Sequence, residues 1–196
     1  MSFKKGYVQV YTGNGKGKTT AAIGLAIRAL GAGKKVLFLQ FMKTNTYSEH
    51  KILPNISPNL TIKTIGKPFF VARKEDLDPE IRAQWENKCV IFEPGNPPQE
   101  YVDLISQGIE EAKKALQNQE YDLVILDEIN VSMYFELAPV KKVLELIEEK
   151  SPEVELVLTG RNCPQEIIDR ADLVTEMREI KHYYTQGVQA RVGIEN

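Results

Sequence analysis

Cysteine and histidine are nearly missing from this chain. Its 196 residues include two of each, Cys89, Cys163, His50 and His182, and a single tryptophan, Trp85. Scattered as they are, they exclude paired Cys-x-x-Cys zinc ribbons, iron–sulfur cluster runs and His-Glu-x-x-His sites. Charge of one sign is not in surplus either: 25 Lys plus Arg against 27 Asp plus Glu leave a net charge of -2. Without a basic excess there is no electrostatic footprint for non-specific nucleic-acid binding, so nucleic acid is not an expected partner. No apolar run approaches the ~18 residues of a membrane span, and strand-like sequence follows the first few residues where a signal peptide would place its apolar region. The expectation is a soluble, cytoplasmic protein with no membrane partner, in a compartment where the two cysteines stay reduced. Its chemistry must run on carboxylates, lysines, backbone amides or a borrowed cofactor.

The length points to one domain, residues 1–196, large enough to bury about 70% of the surface its unfolded chain exposes. Residues 7–11 read as a strand, followed by a glycine-rich turn and a helix over 19–30, stopped by Gly31 and Gly33. Residues 35–41, with Val36-Leu37-Phe38-Leu39, form a continuous apolar run of the kind found in parallel sheets covered on both faces, and the pattern returns at 123–126 and 154–158. Helical sequence fills 98–118 and 139–150, the second opening on proline. Strands alternating with helices predict a three-layer α/β fold around a mostly parallel sheet. Residues 43–58 and 67–98 interrupt the alternation; because Phe69, Phe70, Trp85 and Phe92 are too aromatic for solvated linkers, these stretches read as insertions on the substrate side of the sheet.

The strongest local signal is Thr12-Gly13-Asn14-Gly15-Lys16-Gly17-Lys18-Thr19-Thr20. Glycines let backbone N–H groups curl around a polyphosphate at a helix N-terminus, where the helix dipole favours the anion. Lys18 is placed to reach phosphate oxygens and Thr19 to offer its hydroxyl to Mg²⁺. The strict pattern asks for glycine where Thr12 stands, so this is a variant loop with Asn14 and Lys16 inside it.

Leu123-Val124-Ile125-Leu126-Asp127-Glu128 is an apolar strand ending in two acids, the form of a Walker B element beside the Mg²⁺ of a bound nucleotide. In an extended strand the two carboxylates point to opposite faces, so one is expected to reach the metal. Glu128 has three open roles: metal ligand, water-activating base, or partner of a following helix N-terminus. Arg161, in Thr159-Gly160-Arg161 after the strand at 154–158, emerges at the same edge, where a guanidinium clamps a phosphate or ribose. His182 reads as a loop residue, and Cys163, before Pro164, as a small packed side chain.

Taken together, Thr12 to Ala22, Val124-Ile125-Leu126-Asp127-Glu128-Ile129, Leu158-Thr159-Gly160-Arg161-Asn162-Cys163 and Ala171-Asp172-Leu173-Val174-Thr175-Glu176-Met177 resemble the P-loop ATP:corrinoid adenosyltransferases. Ile180-Lys181-His182, Gly187-Val188 and Gly193-Ile194 are similar to that family's closing segment; the resemblance is weakest over 43–118. It implies a RecA-like P-loop fold, usually a homodimer, that transfers the 5'-deoxyadenosyl group of MgATP to the cobalt(I) of a reduced corrinoid and releases tripolyphosphate. The resemblance assigns ATP binding to Gly13, Asn14, Gly15, Lys16, Gly17, Lys18, Thr19, Thr20 and Arg161, and Mg²⁺ to Thr19 and Glu128, with Asp127 beside them. Lys18 and Glu128 are the expected catalytic pair, and an electron-donating flavoprotein reductase the expected partner. The family eases cobalt reduction with bulky side chains in an apolar corrinoid pocket, and Phe69 and Phe70 fall near that place at a different spacing. Members often carry an N-terminal helix over the corrinoid; here the insertion at about 67–98 is expected to act as the lid. A phosphoryl-transfer enzyme, either an ATPase using Glu128 as base or a kinase, shares the same two motifs, as does a RecA-like module that uses ATP as a switch. A thymidine-kinase-like protein would also want a zinc ribbon that two cysteines cannot build.

Overall fold

In the computed structural model, which describes residues 4–78 and 89–196, strands and helices alternate as the apolar pattern predicts. The strands are β1 (Val8–Thr12), β2 (Val36–Phe41), β3 (Leu60–Ile65), β4 (Phe70–Arg73), β5 (Cys89–Phe92), β6 (Leu123–Asp127), β7 (Glu155–Thr159) and β8 (Leu173–Glu176). The helices are α1 (Lys18–Gly31), α2 (Gln99–Gln117), α3 (Ile129–Tyr134), α4 (Val140–Glu149) and α5 (Gln165–Ile168). Six of the strands form one sheet in the order β3-β2-β6-β7-β1-β8, every pair parallel. This is the expected three-layer α/β architecture of the P-loop type.

The continuous apolar runs are explained by burial on both faces. Val36 and Phe38 of β2, Leu123 and Ile125 of β6 and Val157 of β7 pack with Ala22, Ala26 and Ala29 of α1. The alternate residues, Leu37, Leu39, Val124, Leu126, Leu156 and Leu158, face the opposite layer, where Tyr101, Ile105 and Ile109 of α2 and Val143 and Leu146 of α4 cover them. α1 meets the sheet through alanines, whose short side chains leave little room between helix and strands.

The edge strands were not among the strands read from sequence. β3 buries only its terminal Leu60 and Ile65, and β8 is exposed along its length. Neither shows the unbroken apolar run of an interior strand. The insertion at 67–98 is not wholly irregular: β4 and β5 pair in parallel, with Phe70 opposite Cys89 and Arg73 opposite Phe92. Residues 79–88 of that expected lid, Trp85 among them, lie outside the described residues. The stretch 43–58 carries two 3-10 turns, Ser48–Lys51 and Leu53–Asn55, the second burying Leu53.

The close seating of α1 generates a prediction. Ala26 is 1% exposed, so Ala26→Leu adds volume with nowhere to go and should cost about 1–3 kcal/mol. Urea denaturation measures it; an unchanged midpoint would mean that α1 can slide on the sheet.

Candidate functional site

Parallel register builds the site. Gln40 pairs with Asp127, Leu126 with Leu158, and Tyr11 with Thr159, which brings the carboxyl ends of β1, β2, β6 and β7 level. Gln40, Asp127 and Thr159 continue the rows whose earlier members, Phe38, Ile125 and Val157, face α1. The last position of each row is therefore polar and lies beneath the N-terminus of α1. Ligands in open α/β sheets bind outside this edge.

Asp127 is fully buried, and its carboxylate is surrounded by donors. Thr159 Oγ1 donates to Oδ1 at 2.6 Å, Thr19 Oγ1 to Oδ1 at 3.0 Å, Gln40 Nε2 to Oδ2 at 3.1 Å and Lys43 Nζ to Oδ2 at 2.8 Å. Gln40 in turn accepts from Nε2 of His50, whose ring burial holds below the ordinary histidine pKa. Thr159 Oγ1 also accepts the N–H of Glu128 at 3.0 Å, so one hydroxyl joins β7 to both acids.

At Glu128 the chain leaves the extended conformation. Its φ of 62° and ψ of 17° lie in the left-handed region, which is costly for a residue with a side chain. The expectation that the two acids face opposite sides is thereby corrected, since it holds only while the strand stays extended. Glu128 instead lines a cleft of about 560 Å³ with Lys18, Thr19, Lys43 and Arg161, while Asp127 lies beneath it, behind Thr19 and Lys43. Glu128 occupies the N-cap position of α3, but its side chain makes no capping bond, which removes that one of its three roles. Burial first, and then the charge of Asp127, push its carboxyl above the usual carboxylate pKa, against the pull of Lys43, Lys18 and Arg161.

The loop Thr12–Thr20 joins β1 to α1. Gly17, the N-cap of α1, has φ 119°, and no side chain caps the helix, so its first N–H groups point into the cleft mouth without a side-chain acceptor. The loop rests on the segment after β8: Gly15 N–H donates to the Met177 carbonyl at 2.7 Å and Met177 N–H to the Thr12 carbonyl at 2.8 Å. Gly15, Lys16, Gly17, Lys18, Thr19 and Thr20 line the cleft, whereas Gly13 and Asn14 do not. Lys18 Nζ donates to the carbonyls of Gly13 (2.7 Å) and Gly15 (2.8 Å). Burial, reinforced by the charge of Arg161, holds Lys18 below the ordinary lysine pKa against Glu128 and Asp127. Arg161 is exposed at the cleft; its turn is fixed by Asn130 Nδ2 donating to the Gly160 carbonyl at 3.2 Å.

The far wall is the closing segment of the chain. His182, Gly193, Ile194, Glu195 and Asn196 line the cleft, and Lys16 Nζ donates to the Ile194 carbonyl at 2.8 Å and to Glu195 Oε1 at 3.2 Å. His182 Nδ1 accepts the Tyr184 N–H at 3.0 Å, capping the 3-10 turn Tyr183–Gln186. Phe69 and Phe70, expected together in a corrinoid pocket, are split. Phe69 packs edge-on to Tyr101 in the core, at 5.6 Å between ring centroids, and Phe70 is 66% exposed.

Lys43 and Gln40 contact or line the site without a motif to announce them, whereas Thr159 and the closing segment stood in quoted motifs but with no role assigned to them. Lys43 was legible in one respect: it lies two residues beyond β2, at the carboxyl edge where ligands gather. The structure also bears on Mg²⁺. Among the described residues no group of three or more His, Cys, Asp or Glu can hold a metal ion. Mg²⁺ needs no such cage, being held by one or two carboxylates together with substrate phosphates and water. Thr19, Asp127 and Glu128 are hard oxygen donors beside the loop, and they fit that requirement.

A phosphate-type loop between the first strand and first helix, with an acidic strand end level with it, defines an α/β protein of the P-loop class. The family model for ATP:corrinoid adenosyltransferase BtuR/CobO/CobP matches residues 4–196, and the chain belongs to this family. It is 31% identical over 193 residues to the corrinoid adenosyltransferase of Escherichia coli, covering 98% of this chain and 86% of that protein. Corrinoid adenosyltransferase CobA of Salmonella typhimurium is 30% identical over 193 residues, with 98% and 86% covered. The corrinoid adenosyltransferase of a Sinorhizobium species is 30% identical over 195 residues, with 98% and 81% covered.

Two outcomes are expected. Thr159→Val leaves the Glu128 N–H without its acceptor and Asp127 short of a donor, and should cost about 2–4 kcal/mol in urea unfolding, against less than about 1 kcal/mol for Thr159→Ser. Equal losses would assign the effect to packing. Burial pushes the Cys163 thiol up to about 12, so iodoacetamide at pH 8 should alkylate it about 10³-fold more slowly than free cysteine. Mass spectrometry follows the rate, and alkylation at the free-thiol rate would show that the thiol is not shielded.

Proposed function

We propose that this protein transfers the 5'-deoxyadenosyl group of MgATP to the cobalt(I) of a reduced corrinoid and releases tripolyphosphate. The observation that carries the reading is the convergence of Lys18, Thr19, Glu128 and Arg161 on one cleft, in a chain that the adenosyltransferase family model matches from residue 4 to 196. The cobalt electron pair attacks C5' of the ribose, the C5'–O bond breaks, and its electrons leave on the triphosphate. Cobalt(I) is itself the nucleophile, so the protein supplies placement and charge stabilisation rather than a general base. The loop amides, Lys16, Lys18 and Arg161 hold and neutralise the triphosphate. Bound Mg²⁺ would neutralise further phosphate charge, held by Thr19, Asp127 and Glu128. Phe70, the outward ring of its pair, is the corrinoid contact, and the insertion around it is the lid of a single domain. A flavoprotein reductase delivers the electron that makes cobalt(I), and the working form is a homodimer.

A cleft carboxyl of raised pKa is also what an ATPase base requires. The phosphate product separates the two. Incubation with MgATP and chemically reduced corrinoid should yield tripolyphosphate and an alkylated corrinoid; ADP with inorganic phosphate would establish phosphoryl transfer instead. Lys18→Ala should lower adenosylation turnover by ~10²-fold or more, because it removes a cation at the leaving group. Near-normal turnover would leave the work to the backbone amides and Mg²⁺.

A further inference from the structure

The ammonium of Lys43 stands where a divalent cation between the loop threonine and the strand acid would stand. Its Nζ is 2.8 Å from Asp127 Oδ2 and 3.1 Å from Thr19 Oγ1, two oxygens that lie 3.2 Å apart across the α1–β6 gap. The side chain is 11% exposed and that of Asp127 is 0% exposed, so the pair is buried beneath the cleft floor rather than resting on a surface. The Tyr47 ring flanks the ammonium, with Nζ 5.4 Å from its centroid.

The backbone that delivers this lysine is held at some cost. Met42 has φ 56°, the left-handed region, and donates its N–H to the Ile65 carbonyl at 2.7 Å. Gly66 passes so near that a Cβ there would meet Lys43 N and O at 2.5 Å, so only glycine permits the approach. A kinked strand end and an obligatory glycine fix the Lys43 backbone and leave its side chain as the movable part. Mg²⁺ sits about 2.0–2.1 Å from its oxygen ligands. It cannot bind Thr19 and Asp127 while an ammonium bonds to both.

We propose that Lys43 is a placeholder cation. In the metal-free protein it holds Thr19 and Asp127 at ligand spacing and neutralises the buried carboxylate; a divalent cation displaces it, and the freed ammonium turns into the cleft it already lines, toward bound phosphate. Lys43 is thus a positioning residue whose charge competes with the metal. The inference rests on the reading that Thr19 and Asp127 hold that metal.

The test uses Mn²⁺ as probe, titrated by electron paramagnetic resonance into the whole, nucleotide-free protein. Removing the charge that occupies the cation's place should tighten Mn²⁺ binding at least ~10-fold in Lys43→Met and Lys43→Gln. Lys43→Arg, which keeps the charge, should bind no tighter than wild type. Mn²⁺ should also raise the melting temperature of the neutral variants more than that of wild type, since it replaces the lost partner of Asp127. Lys43→Gln, which retains a donor, serves if Lys43→Met does not fold. Equal or weaker Mn²⁺ binding by the neutral variants, with Mn²⁺ still bound in the presence of ATP, would overturn the placeholder role and leave the metal site standing. No Mn²⁺ bound by any form, with or without ATP, would overturn both.

Discussion

A carboxylate with no access to water, that of Asp127, is the constraint around which the carboxyl edge of the sheet is arranged. An ionised group in that position must be given charge and hydrogen bonds by the protein, since burial without them costs several kcal/mol or more. It draws its donors from separate parts of the fold: Thr19 at the start of α1, Gln40 on β2, Lys43 beyond β2 and Thr159 on β7. Each must be in register for the others to be satisfied. Strand order supplies the lateral neighbours, because β6 lies between β2 and β7. The alanine face of α1 supplies the third direction, bringing Thr19 down onto the sheet. Sheet register and the seating of the phosphate loop are thereby parts of one buried polar cluster, and a fault in either leaves the carboxylate under-satisfied.

The scarcity of histidine and cysteine fits the chemistry this edge supports. One histidine, His50, supports Gln40 from behind, and the other, His182, caps a turn in the closing segment. Both cysteines are held above the ordinary thiol pKa by burial. What the cleft has in quantity is cationic side chains, Lys16, Lys18, Lys43 and Arg161, grouped about a helix N-terminus. Those are groups suited to holding a polyanion, and the adenosyl transfer proposed above asks for no nucleophile from the protein.

The phosphate loop and the acidic strand end were readable because each is a local object, a run of residues whose types and spacing already carry the geometry. The interior strands were readable for a similar reason, since burial on two faces leaves continuous apolar runs. Edge strands β3 and β8 lack that signature because half or all of their surface faces water. The placement of Glu128 was misread because alternation assumes an extended chain, and the chain turns left-handed there. The contacts of Lys43, as distinct from its place at the carboxyl edge, were out of reach for another reason. Its placement depends on the β2–β6 register, the kink at Met42 and the passage of Gly66, two of which join residues far apart in sequence. The division between Phe69 and Phe70 likewise depends on which ring finds Tyr101, on a helix some thirty residues away.

The parked state of the cations sets what a ligand has to do. Lys18 bonds to the loop's own carbonyls, Lys43 to Asp127, and Lys16 to Glu195 and the Ile194 carbonyl. Each is already partnered, so a single phosphate entering the cleft would exchange one set of charge-assisted bonds for another, at little net gain. A triphosphate accompanied by a divalent cation changes the balance in a way that a lone anion cannot. On the proposed reading, the metal would take over Asp127 and free Lys43 for the anion, and the longer anion would reach Lys16 and Lys18 together. Internal neutralisation of the cleft's cations would, on that reading, select a metal-bound polyphosphate, because only a ligand carrying both charges can replace all of these partners at once.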